Sequence, residues 1–265
     1  MSEIWAGPFL GEFGWETTIW SPWLRHEQHR LKVPFHVVCE DGKDLLYRDF
    51  AMVHEVRRME SVRRDCQNAF RPKGGKLTRE DYENYCITAA GHGVKCLTPI
   101  DLTTVWPGGV PQARQAAFKT HYKKTHGERN WVAIHARRAQ HEDRNWPPEA
   151  WHLLIDKLTT RGHEVLSIGA HRQTHDLEGV TDYRGCDLWM LAEYLSSCRY
   201  LVGPSSGPMA FAMLCEVPVI WWSKNRKDVG RFAGSWNPFH TLEHRVRESW
   251  SPTVEEVANS CPLAS

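Results

Sequence analysis

The sequence predicts an α/β protein built from two Rossmann-like halves facing a cleft. Three observations carry this. Short apolar runs alternate with amphipathic segments through the second half, which is the pattern of a parallel sheet covered on both faces. Two of those runs, Trp131–Arg138 and Tyr200–Met209, end in groups suited to holding an anion. The first half opens with its own strand, glycine-punctuated loop and helix, so the division is expected near Thr125, giving residues 1–125 and 126–265.

Taken in order, Ile4–Ala6 reads as a first strand, followed by the loop Gly7-Pro8-Phe9-Leu10-Gly11-Glu12-Phe13-Gly14. A helix is expected from Trp15 to His29, kinked at Pro22, because proline removes one backbone donor. Trp15, Trp20, Trp23 and Leu24 fall near one face of it and read as a core stripe, with sugar or base stacking as the other reading. Phe35–Cys39 is the next strand and Thr78–Ala90 a helix. Lys95–Gln115, with three prolines and two glycines, is the linker candidate.

In the second half Trp131–Ala136 is a short buried strand. Pro147-Pro148-Glu149 starts a helix whose Trp151, Leu154, Ile155 and Leu158 recur at helical spacing until Gly162 ends it. Strands are expected at His163–Gly169 and Val180–Arg184, then a helix capped by Asp187. Tyr200–Gly203, Pro208–Glu216 and Val217–Trp222 complete a strand, helix and strand. Ligands in such sheets bind beyond the carboxyl ends of the strands, where both anion-suited segments lie.

Composition narrows the class. A net charge of +1 gives no global field for a nucleic acid. Local basic clusters at Arg57–Arg64, Arg71–Lys76 and Lys119–Lys124 are solvated faces or an acceptor surface. The eight cysteines show no metal-finger spacing and read as reduced thiols. No apolar run approaches the roughly 20 residues that span a bilayer. Met1-Ser2-Glu3-Ile4-Trp5 leads directly into strand-like sequence, so a cytoplasmic protein without a secretory leader is expected.

Arg137 and Arg138 follow a strand directly, and two guanidinium groups there could neutralise a diphosphate or form surface salt bridges to Glu142 or Asp143. His135 is either a structural histidine or a group that orients the ligand. Ser205, Ser206 and Gly207 stand where backbone N–H groups at a helix start bind phosphate, though serine also serves as a simple cap. Gly203-Pro204-Ser205-Ser206-Gly207 fits the nucleophile elbow of serine hydrolases too, with Asp228 and His240 or His244 following in order. His171/His175 and His240/His244 have helical spacing for zinc but no third ligand in register. No P-loop run is present, which removes support for a P-loop kinase.

Several segments together resemble a known family. Arg144-Asn145-Trp146-Pro147-Pro148-Glu149-Ala150-Trp151, Ser167-Ile168-Gly169 and Gly203–Pro218 resemble the donor-binding half of GT-B glycosyltransferases, including heptosyltransferases. His135-Ala136-Arg137-Arg138 is similar to the H-x-R-R motif of fucosyltransferases of similar fold. Gln140 replaces that motif's aspartate. Ser205 and Phe211 stand where the heptosyltransferase loop has Asp and His. Gly11-Glu12-Phe13-Gly14 looks like the first glycine loop of such enzymes.

The resemblance implies a glycosyltransferase with a nucleotide-sugar donor, metal-independent and inverting, without a cofactor. It places the donor at Gly11, Gly14, His135, Arg137, Arg138, Gly169, Ser205, Ser206 and Gly207. Arg138 would stabilise the departing diphosphate, and Glu12 or Glu16 would serve as general base unless they are solvated surface acids. The absence of a D-x-D run agrees with metal-independent transfer. The acceptor is a glycan or a hydroxymethylated DNA base. Other classes remain open: a nucleotide-sugar epimerase, the serine hydrolase, or a binding protein without catalysis.

Overall fold

The computed structural model describes residues 3–56, 78–101, 114–120, 129–138 and 144–263. The chain forms two compact units. The first comprises Met1–Ala116 with Asp187–Trp189, and the second Ala117–Cys186 with Met190–Ser265.

The first unit holds a parallel sheet of four strands, β1 (Ile4–Ala6), β2 (Phe35–Glu40), β3 (Met52–Val56) and β4 (Cys96–Leu97), in the order β3-β2-β1-β4. Trp5 and Val38 meet Cys86 and Cys96 in a buried cluster beneath the helix Arg79–Ala90. Thr78 caps that helix reciprocally with Asp81, and Gly91 ends it at φ +74°. Two expectations change here. Cys96–Leu97 pairs with β1, so the expected linker begins inside the sheet. β3 escaped the sequence reading because it is an edge strand, half-exposed and lacking a clear apolar alternation.

The helix after β1 also departs from expectation. It starts at Phe13, runs as a π-helix over Glu16–Trp20, and is α-helical from Ser21 to Leu31. Pro22 sits in the first turn of that last part, so the irregularity precedes the proline. The Ser21 amide donates to the Glu16 carbonyl, five residues back, which places the extra residue before a position that has no N–H. Trp20, Trp23 and Leu24 are buried and Trp15 is half-buried, so the core reading of the stripe holds.

The second unit holds β5 (Trp131–Ile134), β6 (Glu164–Ser167), β7 (Thr181–Asp182), β8 (Tyr200–Pro204), β9 (Val219–Trp222) and β10 (Glu243–Arg245). All pair in parallel, in the order β10-β9-β8-β5-β6-β7. Counted from β5, this is the 3-2-1-4-5-6 order of a doubly wound sheet. The helix Pro148–Thr160 buries Trp151, Leu154, Ile155 and Leu158 against β5 and β6, with Trp146 and Trp222 beside Trp151. Pro147 supplies the extended N-cap, and Gly162 follows the last turn at φ +83°. The chain leaves β5 toward β6 and β7, then returns to β8 on the other side. The order therefore reverses between β5 and β8.

Candidate functional site

The reversal point sets the site. Where neighbouring strands send their following loops to opposite faces of a sheet, a crevice opens beyond their carboxyl ends. After β5 the chain continues as His135-Ala136-Arg137-Arg138, and after β8 as Ser205-Ser206 into the helix Gly207–Leu214. The two ends are joined directly. Nδ1 of His135 and Oγ of Ser206 share a hydrogen bond of 2.9 Å across 71 residues of sequence.

Ser206 occupies the N-cap of its helix, yet its side chain makes no cap hydrogen bond. Simple capping by this serine is therefore corrected. Its hydroxyl serves His135, and the first-turn amides of the helix lack the usual side-chain acceptor. Pro208 contributes no N–H, so Gly207 and Met209 carry the nearest donors. The Ser205 amide donates to the Trp222 carbonyl at 2.9 Å, which aligns the loop with the end of β9.

His135 is 5% exposed, and burial holds its imidazole neutral, with its pKa lowered to about 3; the Arg137 charge adds to the effect. The ring packs against Gly169, where the lack of a side chain leaves room for it and the backbone stands at φ +118°. Gly203 lies equally close to the His135 main chain, since a Cβ there would stand 3.1 Å from the His135 carbonyl oxygen. These two glycines let the ends of β5, β6 and β8 approach one another.

Arg137 is half-buried and forms a bridge with Thr174. Arg138 is exposed, its amide donating to the Gln173 carbonyl at 2.6 Å. The amide of His175 donates to the Ala136 carbonyl at 2.8 Å, and burial and the Arg138 charge lower the His175 pKa. The loop after β6 thus braces both arginines from one side. Gln140, Glu142 and Asp143 lie outside the described residues.

In the first unit Glu12 is exposed and precedes the helix, with its carbonyl accepting from the amides of Trp15 and Glu16. Gly11 is buried in the loop. Gly14 lies inside the first helical turn rather than in the loop, and its carbonyl accepts from the hydroxyls of Thr17 at 3.1 Å and Thr18 at 2.6 Å.

Glu16 is not the exposed acid that a general base or a solvated surface residue would be. It is fully buried, ion-paired with Lys43 and accepting from the Tyr47 hydroxyl at 2.9 Å. Lys43 also pairs with Glu40 at 2.8 Å. Burial raises the Glu16 pKa, Lys43 opposes that shift, and Glu40 adds to it. Glu16 opens the π-helical turn and meets a lysine 27 residues away, a pairing that no local sequence pattern signals.

Comparison with solved structures agrees with this architecture. The glycosyl transferase family 9 protein from Veillonella parvula DSM 2008 superposes with a TM-score of 0.55 at 13% identity, over 99% of this chain and 92% of that one. The E. coli heptosyltransferase WaaC with ADP gives 0.57 at 15% identity, over 98% and 97%. E. coli ADP-heptose lps heptosyltransferase II gives 0.56 at 14%, over 98% and 97%. The fold is that of the GT-B glycosyltransferases. No family model matches the sequence, and comparison with curated proteins gives no match.

The side chains of the hydrolase reading engage other partners. Asp228, its proposed acid, accepts from Ser223 at 2.6 Å and Asn225 at 3.3 Å and pairs with Arg231 at 3.0 Å. Exposed His244 meets Ser260 at 3.2 Å instead. The histidine that reaches this loop is His135, which precedes the serines in the chain and bonds Ser206 rather than Ser205. Among the described residues no group of three or more His, Cys, Asp or Glu could hold a metal, so neither histidine pair gains a third ligand. Seven described cysteines are free, and no described helix is long and apolar enough to cross a membrane.

Proposed function

We propose that the protein is a glycosyltransferase that moves a sugar from a nucleotide-sugar donor to a hydroxyl acceptor. The observation that carries this reading is the 2.9 Å contact between His135 and Ser206. It joins the arginine-bearing end of β5 to an uncapped helix start after β8, at the reversal point of the sheet. In this reading Arg137, Arg138 and the Gly207 amide supply the positive charge that a diphosphate leaving group needs. The likeness of fold to a heptosyltransferase solved with ADP supports the same donor class.

Within this reading His135, Gly169, Ser205 and Ser206 shape the donor site, and Arg137 and Arg138 neutralise the departing diphosphate. Gly11 and Gly14 are donor contacts too, as the resemblance implies. Glu12 is the general base, because Glu16 is fully enclosed and Glu12 is exposed. Transfer is metal-independent and inverting, as the resemblance to GT-B enzymes implies. The acceptor is a glycan, or a hydroxymethylated DNA base if the basic segments Arg57–Arg64 and Arg71–Lys76 bind phosphate. Those segments lie outside the described residues.

The test is a thermal-shift panel of nucleoside diphosphates and nucleotide sugars, followed by transfer assays. Stabilisation of the wild type and its loss in Arg138→Ala are expected. A panel in which nothing stabilises the protein overturns the reading. Donor turnover without an acceptor would reassign it as an epimerase. Salt-sensitive DNA binding would select the nucleic-acid acceptor, since phosphate contacts release counterions.

A further inference from the structure

The carboxyl end of β9 carries a second built feature, the turn Ser223-Lys224-Asn225. It follows Trp222 directly, and the Trp222 carbonyl accepts from the Ser205 amide at 2.9 Å. The turn therefore lies one strand away from Ser205–Gly207, on the same edge of the sheet. Ser223 is fully buried and held at both oxygens. Its hydroxyl donates to Asp228 Oδ2 at 2.6 Å and accepts from the Asn225 amide at 2.9 Å, while its carbonyl accepts from Arg245 at 2.9 Å.

Asn225 is held as firmly. Its Nδ2 donates to Asp228 Oδ1 at 3.3 Å, and its Oδ1 accepts from the Lys227 amide at 3.0 Å. The hub of this network, Asp228, is 4% exposed and also pairs with Arg231 at 3.0 Å. A carboxylate is costly to bury unless it is paired and hydrogen-bonded, as this one is. The result is a main chain locked on both sides of one exposed residue, Lys224. Nearby Arg226 is engaged by Glu248 at 2.9 Å and Arg231 by Asp228, whereas Lys224 has no ion pair among the described residues.

We propose that Lys224 binds the donor diphosphate and that Asp228 is a positioning residue acting through it. The inference rests on the donor site proposed above and adds a third strand end to it. A lysine whose flanking main chain is pinned at the end of β9, beside the loop after β8, supplies a cation to the phosphate farther from the nucleoside. The site then discriminates nucleoside diphosphates from monophosphates. Charge-assisted hydrogen bonds of this kind are sensitive to the loss of one donor.

Calorimetric titration of the full chain with ADP, UDP, GDP and the matching monophosphates tests this. Lys224→Ala is expected to weaken the bound diphosphate about tenfold and the monophosphate by less than about threefold. Lys227→Ala removes the same charge three residues on and is expected to change neither. Asp228→Asn is expected to weaken the diphosphate, and to add nothing further in the Lys224→Ala background. If Asp228→Asn fails to fold, Ser223→Ala takes its place in the same cycle. A wild type that binds no nucleoside diphosphate overturns this inference together with the proposed function. A wild type that binds one, alongside Lys224→Ala of equal affinity, overturns this inference alone. Additive losses in the double variant overturn the role of Asp228.

Discussion

A methyl group added to Gly169 would stand 2.9 Å from Cδ2 of His135 and 2.7 Å from Cγ2 of Thr174. The backbone there, at φ +118°, also suits glycine alone. Gly169→Ala is expected to cost roughly 3 kcal/mol from strain and overlap. At Gly93 a Cβ meets nothing within 4 Å, so Gly93→Ala is expected to be near neutral. Urea denaturation of the two variants checks the contrast.

His135 also makes stability depend on pH. Its folded pKa is lowered from 6.5 to about 3, so the unfolded chain takes up a proton that the folded chain refuses. The contribution is fully present above pH 6.5 and is lost as pH falls toward 3. The slope is about 1.4 kcal/mol per pH unit in that window. His135→Asn is expected to flatten it, measured as urea midpoints between pH 6.5 and 4.

The two acids beside the first loop separate by phenotype. Glu12→Gln is expected to lower the transfer rate by about 100-fold or more, far out of proportion to any change in melting temperature. Glu16→Ala leaves Lys43 with Glu40 alone and strands the Tyr47 hydroxyl, at an expected cost of about 3 kcal/mol. The raised Glu16 pKa adds a second signature. Its neutral form is favoured, so this contribution falls as pH rises from 4.5 through the raised value. Glu16→Gln should remove that fall, read from melting temperatures across the acid range.

Trp151 is fully enclosed, with Trp146 at 5.0 Å and Trp222 at 5.8 Å between ring centroids. Trp151→Ala is expected to cost about 3–5 kcal/mol, because the cavity left between two large rings closes poorly. Thermal unfolding and near-ultraviolet circular dichroism report the loss.

Much of the second unit was legible because its strands are central. β5, β8 and β9 are buried along their whole length and so read as uninterrupted apolar runs. β3, β4 and β10 lie at sheet edges and span two to five residues, too few for a period to appear. Within the proposed site, the place of Arg137, Arg138 and the serines directly after a strand was legible. Lys224 was not, since nothing in Ser223-Lys224-Asn225 distinguishes a pinned turn from an ordinary one. Its pinning depends on Asp228 and on Arg245, which is 22 residues from Ser223.

The fold class, the alternation of strand and helix and the residue types at the strand ends follow from local chemistry, so the sequence by itself determined them. Apolar periodicity, proline and glycine act within a few residues, and they show in the order of letters. The tertiary structure decided which of those groups meet. It turned Ser206 from a helix cap into the partner of His135, 71 residues away, and enclosed Glu16 on Lys43, 27 residues away. It also made Asp228 the hub of a turn rather than the acid of a triad. The physical reason is that hydrogen bonds and burial depend on distance in space. That distance was set by strand order, which no local pattern encodes.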